Sequence, residues 1–171
     1  MFKFPWNMRQ ILAGLLYLLC LSFLNAQTRC WGSPEPFKVV YDDAEVLGYA
    51  DEARIQVGIE KFNAVYGVTL VLYLAPDLCG WIALGFATVL GSDWGVGDAE
   101  LDNGMVLLIS PWRDGHSGGV ALAVGKGIES LVTDDEAQRV IDVMIPRLKE
   151  KDWYGAIADV IQSELPFAMQ R

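Results

Sequence analysis

The sequence predicts an α/β protein, a three-layer α/β/α sandwich built on a small central sheet within a single domain. Three observations carry this. Val68–Leu74 (VTLVLYL) and Gly104–Ser110 (GMVLLIS) are uninterrupted apolar runs, as expected of strands buried on both faces. Segments with helical spacing of apolar residues lie between and after them. Strands alternating with helices bury their apolar surface by covering the sheet on both sides.

The chain opens with a segment of a different kind. Residues 1–26 hold Lys3 and Arg9, no acid, an apolar run from Ile11 to Leu24, and a small residue at Ala26. A basic start, an apolar middle and a small residue at the end make a secretory signal peptide. The apolar run is shorter than the ~20 residues that span a bilayer comfortably. Leu24 is bulkier than the small side chain preferred near a cleavage site, so an uncleaved anchor is the alternative. The expectation is an exported protein, periplasmic or extracellular, either released at Gln27 or tethered by this segment.

Residues 27–37 (QTRCWGSPEPF) are rich in Pro, Gly and polar residues and read as an extended lead-in. The folded domain is assigned to residues 38–167. Lys38–Tyr41 is a short β-prone run that ends at Asp42 and Asp43. A helix follows over about 43–66, with Leu47, Ile55, Ile59 and Phe62 in its apolar stripe and Gly67 as its left-handed cap. After the Val68–Leu74 strand, a second helix is expected over about 81–90. A glycine-rich loop (Gly91, Gly95, Gly97) then carries Asp93, Asp98, Glu100 and Asp102. The strand Gly104–Ser110 leads to a polar turn at 111–119 and a further strand at Val120–Val124. Thr133-Asp134-Asp135-Glu136 matches a capping box. The helix it opens buries Val140, Ile141, Met144, Ile145 and Leu148, and Pro146 is expected to kink it or end it early. A last helix covers about 152–165.

Charge and composition narrow the function. The formal net charge is −9, and removing Lys3 and Arg9 with the signal takes it two units lower, to −11. Such a surface repels phosphate backbones, so nucleic-acid binding is not expected. Cys30 and Cys79 remain in the mature part, and an oxidising compartment permits a disulfide between them. The single histidine, His116, argues against a His-based zinc site. No dinucleotide fingerprint, P-loop, nucleophile elbow or HExxH motif occurs. No catalytic residue is marked, and no organic cofactor is expected.

What remains is oxygen ligands where strands and helices end. Asp42 follows the first strand, Asp102-Asn103-Gly104 leads into a buried strand, Glu129 closes a Gly125-x-Gly127-x-Glu129 turn, and Asp134 opens a helix. Oxygen donors without His or Cys select a hard cation such as calcium or magnesium. Each residue also has a plain role: Asp134 complements a helix N-terminus, Asn103-Gly104 suits a turn, and Asp98 and Glu100 suit a solvated loop. No EF-hand spacing is present.

Four stretches in order resemble the TPM domain family: Val40-Tyr41-Asp42-Asp43-Ala44, Trp94-Gly95-Val96-Gly97, Asp102-Asn103-Gly104 with its strand, and Gly125-Lys126-Gly127-Ile128-Glu129 with Thr133-Asp134 beyond. The resemblance spans about residues 35–167. It implies an α/β/α sandwich in an exported or membrane-facing protein. Some members of that family have acid phosphatase activity, some bind divalent cations, notably calcium, and others look like assembly or repair factors for membrane complexes. Carried over by position, a cation site would rest on Asp42, Asp102 and Asp134, with Asn103 and Glu129 close by. Two departures stand out. Many bacterial relatives continue into a membrane span or a glycine-rich tail, so attachment here is expected to depend on the N-terminus. The turn at 111–119 is also longer and richer in glycine than the family's, which weakens any substrate contact from it, Arg113 included.

The expected function is therefore a cation-binding exported domain that supports a membrane complex by assembly, repair or modulation. The alternative is a metal-assisted phosphatase acting on small phosphomonoesters through the same acids. The negative surface and the lack of a paired basic phosphate clamp favour binding over catalysis.

Overall fold

The computed structural model describes residues 30–113 and 118–170, so the signal-like segment and the histidine lie outside the described residues. Four strands form one sheet in the order β1-β2-β3-β4. Strand β1 (Val40–Asp42), β2 (Thr69–Leu74) and β3 (Gly104–Ser110) run parallel, and β4 (Gly119–Val124) returns antiparallel beside β3.

Alternation along the strands sends residues to two cores, because successive side chains leave opposite faces. Leu70, Leu72, Leu74, Met105, Leu107, Ile109 and Leu122 face one core. It is filled by helix α1 (Tyr49–Tyr66), helix α3 (Asp134–Lys149) and the C-terminal helical run. That run comprises α4 (Trp153–Asp159), a π-helical turn (Val160–Glu164) and α5 (Leu165–Ala168). On the other face, Tyr73 stacks on Phe86 of helix α2 (Ala83–Trp94), with ring centroids 6.0 Å apart. The lead-in closes this layer: Trp31 meets Phe86 edge-on at 4.8 Å, and Trp94 donates its indole N–H to the Gly32 carbonyl. Three layers follow, α/β/α, as the sequence predicts.

The elements depart from expectation at their ends, for local reasons. Helix α1 begins at Tyr49 rather than at 43, because Asp42 accepts the amides of Val46 and Leu47 at 2.9 and 2.7 Å and Glu45 adopts a positive φ of 53°. That turn takes Leu47 out of the helical stripe. The C-terminal end of α1 is as predicted, with Gly67 left-handed at φ 64° and its N–H on the Asn63 carbonyl. The Asn63 amide then brackets Leu70, accepting its N–H and donating to its carbonyl, which fixes the entry into β2.

Helix α2 runs through Gly91 to Trp94 and ends at a left-handed Gly95. Gly91 serves packing rather than a turn, since a Cβ there would lie 3.0 Å from a Val106 methyl. Helix α3 starts as its cap predicts, with the Thr133 hydroxyl accepting the Glu136 amide. Pro146 does not end it, for the helix continues to Lys149. Cys30 and Cys79 are both disulfide-bonded. Among the described residues no helix is long and apolar enough to cross a membrane.

Candidate functional site

The loops at one edge of the sheet are knitted by backbone contacts that admit no side chain. Asp102 sits just before β3 in a left-handed conformation, φ 46°, which a short polar side chain tolerates better than most. Its carbonyl accepts the Gly127 amide at 2.9 Å, and its carboxylate accepts the Lys126 amide at 3.2 Å. The glycines around it are steric necessities. A Cβ at Gly127 would lie 1.7 Å from the Leu101 carbonyl oxygen, one at Gly125 2.3 Å from that of Asp102, and one at Gly104 2.0 Å from that of Val96. The three glycine-bearing motifs at 94–97, 102–104 and 125–129 thus form one junction of three loops.

Asn103 is the rivet of this junction and is only 9% exposed. Its Oδ1 accepts the Asp98 amide at 2.8 Å, and its Nδ2 donates to the Gly67 carbonyl at 2.7 Å. Its backbone carbonyl accepts the Thr69 amide. Asn103 is therefore a structural residue. Its side chain is spent on the two neighbouring loops.

Asp98 in turn accepts the amides of Glu100 and Leu101 at 2.8 and 3.0 Å. Those amides, Leu101 first, hold its exposed carboxyl below the ordinary carboxylate range.

Above the junction runs a groove of about 720 Å3. One wall is α2, with Leu84, Ala87, Thr88 and Gly91, and Val106 with Ala123 also lines it. Asp98, Asp102 and Lys126 sit at the junction, and Glu129 and Asp134 line the same groove. Of the residues expected from sequence, Asp102, Glu129 and Asp134 line this one groove, without converging as a cluster of three. The structure adds Asp98, which sequence reasoning assigned to a solvated loop. The signal for it was available: Asp98 lies in the same glycine-rich stretch as Asp102.

Asp42 does not join them. It pairs with Leu74 at the C-terminal ends of the parallel strands, whereas Asp102 precedes Gly104, which pairs with Thr69 at their start. The length of β2, about 17 Å at ~3.3 Å per residue, separates the two ends. A parallel sheet has two loop-bearing edges, and sequence order does not say that residues before and after strands lie on different ones.

At the far edge Asp43 accepts the Tyr73 hydroxyl at 2.7 Å. Burial first, then this carboxylate, pushes the Tyr73 phenol well above its ordinary range. Arg113 donates to the Ala44 carbonyl, so its guanidinium ties the turn after β1.

The donor set around Asp102 is oxygen-only, as a hard cation requires. Among the described residues, however, no three His, Cys, Asp or Glu side chains converge as a ready-made metal site. Oxygen donors of the kind a hard cation takes are present, and among the described residues no coordination shell is preassembled.

Comparison with known proteins places this architecture. The class is a small α/β domain with a mixed four-stranded sheet. The solution structure of the N-terminal domain of a P. gingivalis protein is similar, with TM-score 0.64 and 22% identity over 78% of this chain and 81% of that one. The N-terminal domain of a Corynebacterium glutamicum protein is similar at TM-score 0.58 and 18% identity, covering 81% of this chain and 85% of its own. At such identities the likeness concerns the fold alone. No curated protein matches the chain. The TPM domain matches residues 40–163, and the chain belongs to that family.

Proposed function

We propose that this TPM domain is an exported binding module that takes a hard divalent cation, calcium first, at the acids that line its groove and supports a membrane-associated complex. The observation that carries the reading is that Asp98, Asp102, Glu129 and Asp134 all line one groove. Asp102 would be the anchor, because the three-loop junction fixes its backbone while one carboxylate oxygen accepts only a single amide. Glu129 and Asp134 would close on the ion from the turn after β4 and the start of α3, with water and backbone carbonyls completing the oxygen set. A site that must close in this way binds weakly, on the order of 0.1–1 mM as in extracellular modules. Export and membrane association rest on the signal-like N-terminus and the family resemblance.

The acids that would hold an ion also repel a phosphate monoester. Lys126 is the one base among the groove-lining residues, and Arg113 is engaged with Ala44 at the other edge. Binding without turnover is therefore preferred to hydrolysis.

The test is calcium titration of the thermal transition of the mature domain, beside Asp102→Asn and Glu129→Gln. The expected result is a midpoint that rises with calcium in the wild type and rises less in both variants. An unmoved midpoint at 10 mM calcium overturns the cation reading. Hydrolysis of p-nitrophenyl phosphate that requires calcium or magnesium and vanishes in Asp102→Asn would restore the phosphatase.

A further inference from the structure

Strand β4 lines the groove and, among the described residues, is an edge of the sheet. The Gly125 amide donates to the Gly104 carbonyl, so in this antiparallel pair Gly125, Ala123, Ala121 and Gly119 exchange hydrogen bonds with β3. Val120, Leu122 and Val124 must then turn their N–H and C=O groups outward. Nothing pairs with β4 on that side in the sheet, and among the described residues these outward groups make no hydrogen bond.

The opposite edge is treated differently. Strand β1 has only three residues, and its amide at Val40 is covered by the Gln56 side chain at 3.1 Å. Exposed edges are normally blunted by charge, proline, a bulge or shortness. Strand β4 is six residues long, Gly-Val-Ala-Leu-Ala-Val, with no charge and no proline.

We infer that the β4 edge and the adjoining groove form a docking site for an extended, alternately apolar peptide segment of a partner protein, carrying a basic residue where the segment passes the Asp102 loop. Such a segment adds a fifth strand, with main-chain hydrogen bonds to Val120, Leu122 and Val124. Side chains on its α2 face enter the groove, where the small Ala123 leaves room beside the exposed Leu84 and Thr88. A groove of about 720 Å3 is in the range of organic ligands and far exceeds the needs of one ion. Charge selects the occupant. Four acids and one lysine line the groove, which favours a cationic residue and disfavours a second copy of this acidic chain, whose own β4 brings no positive charge. The peptide's basic residue and the proposed cation draw on the same groove acids and exclude one another there, whereas the strand-edge hydrogen bonds need no ion.

The probe is a fluorescent peptide, acetyl-Lys-Val-Thr-Val-Thr-Val-amide, titrated with the mature domain in EDTA, so that calcium plays no part. Binding is expected to saturate. N-methylation of one alternating set of peptide amides is expected to weaken it at least about tenfold, and methylation of the other set to leave it within about twofold. Replacing the peptide lysine by glutamate is expected to cost about tenfold at low salt. Hydrogen exchange at Val120, Leu122 and Val124 should slow when peptide is added. On the protein side, Val124→Pro removes one outward N–H and leaves the bonds to β3 in place; it is expected to lose binding with an unchanged circular dichroism spectrum. The methylated peptides read out on the wild-type protein, so a misfolded proline variant leaves the test intact. Absence of binding, equal loss from both methylation sets, or a β4-dependent dimer in sedimentation overturns the proposal.

Discussion

Gly127 passes so close to Leu101 that a Cβ on it would fall 1.7 Å from the Leu101 carbonyl oxygen. The approach is possible only for glycine, and it brings the turn after β4 against the loop before β3. Gly127→Ala must push these loops apart or distort them. The expected loss is about 3 kcal/mol or more, read as a lower urea midpoint, because overpacking against backbone has no side chain that can yield. Gly32→Ala, where a Cβ meets nothing within 4 Å, is the control and should change little.

Asn103 tests the rivet. Asn103→Ala leaves the Asp98 amide and the Gly67 carbonyl without their side-chain partner. The expected cost is about 1–3 kcal/mol in denaturant unfolding. Asn103→Asp should cost at least as much, since it replaces the donor facing Gly67 with a carboxylate oxygen.

Tyr73 and Asp43 predict an alkaline limit. The Tyr73 phenol is raised in the folded state above its ordinary value of 10.0, by burial first and by Asp43 next. Above pH 10 the unfolded chain releases this proton while the folded protein retains it, so unfolding is favoured as pH rises. The contribution is fully present below pH 10 and is lost as pH climbs from 10 toward the folded pKa. Stability of the wild type should therefore fall more steeply above pH 10 than that of Tyr73→Phe, measured by urea unfolding at a series of alkaline pH values.

Asp42 and Asp102 should separate in a calcium experiment. Asp42 holds the turn at Val46 and Leu47, so Asp42→Asn is expected to lower stability by about 1 kcal/mol and to keep the full calcium-dependent rise in melting temperature. Asp102→Asn is expected to reduce that rise. Equal responses in the two variants would remove Asp102 from the cation site.

The order of elements, the two buried strands, the left-handed cap at Gly67 and the start of α3 at Thr133 were all legible in the sequence. Each depends on local periodicity or on a cap whose partner lies within a few residues. The glycines of the three motifs were visible as well, but their purpose was not. Gly91 reads locally as a helix breaker, and it is kept inside α2 because Val106, fifteen residues away, needs the space. The extent of α1 was hidden for a similar reason, since a carboxylate at Asp42 outcompetes the helix for two amides.

The sequence alone determined the α/β class, the family, and the kinds of donor available at loop ends. The tertiary structure decided which of those donors meet. Strand direction sends Asp42 to one edge and Asp102 to the other, and the crossing of three loops sets Asp98 beside Asp102, with Glu129 and Asp134 lining the same groove. It also decided that, among the described residues, β4 ends the sheet with its outward backbone groups unpaired. Periodicity records which face of a strand is buried. It carries no information on which strand lies beside it, because that choice is settled by packing between segments far apart in the chain.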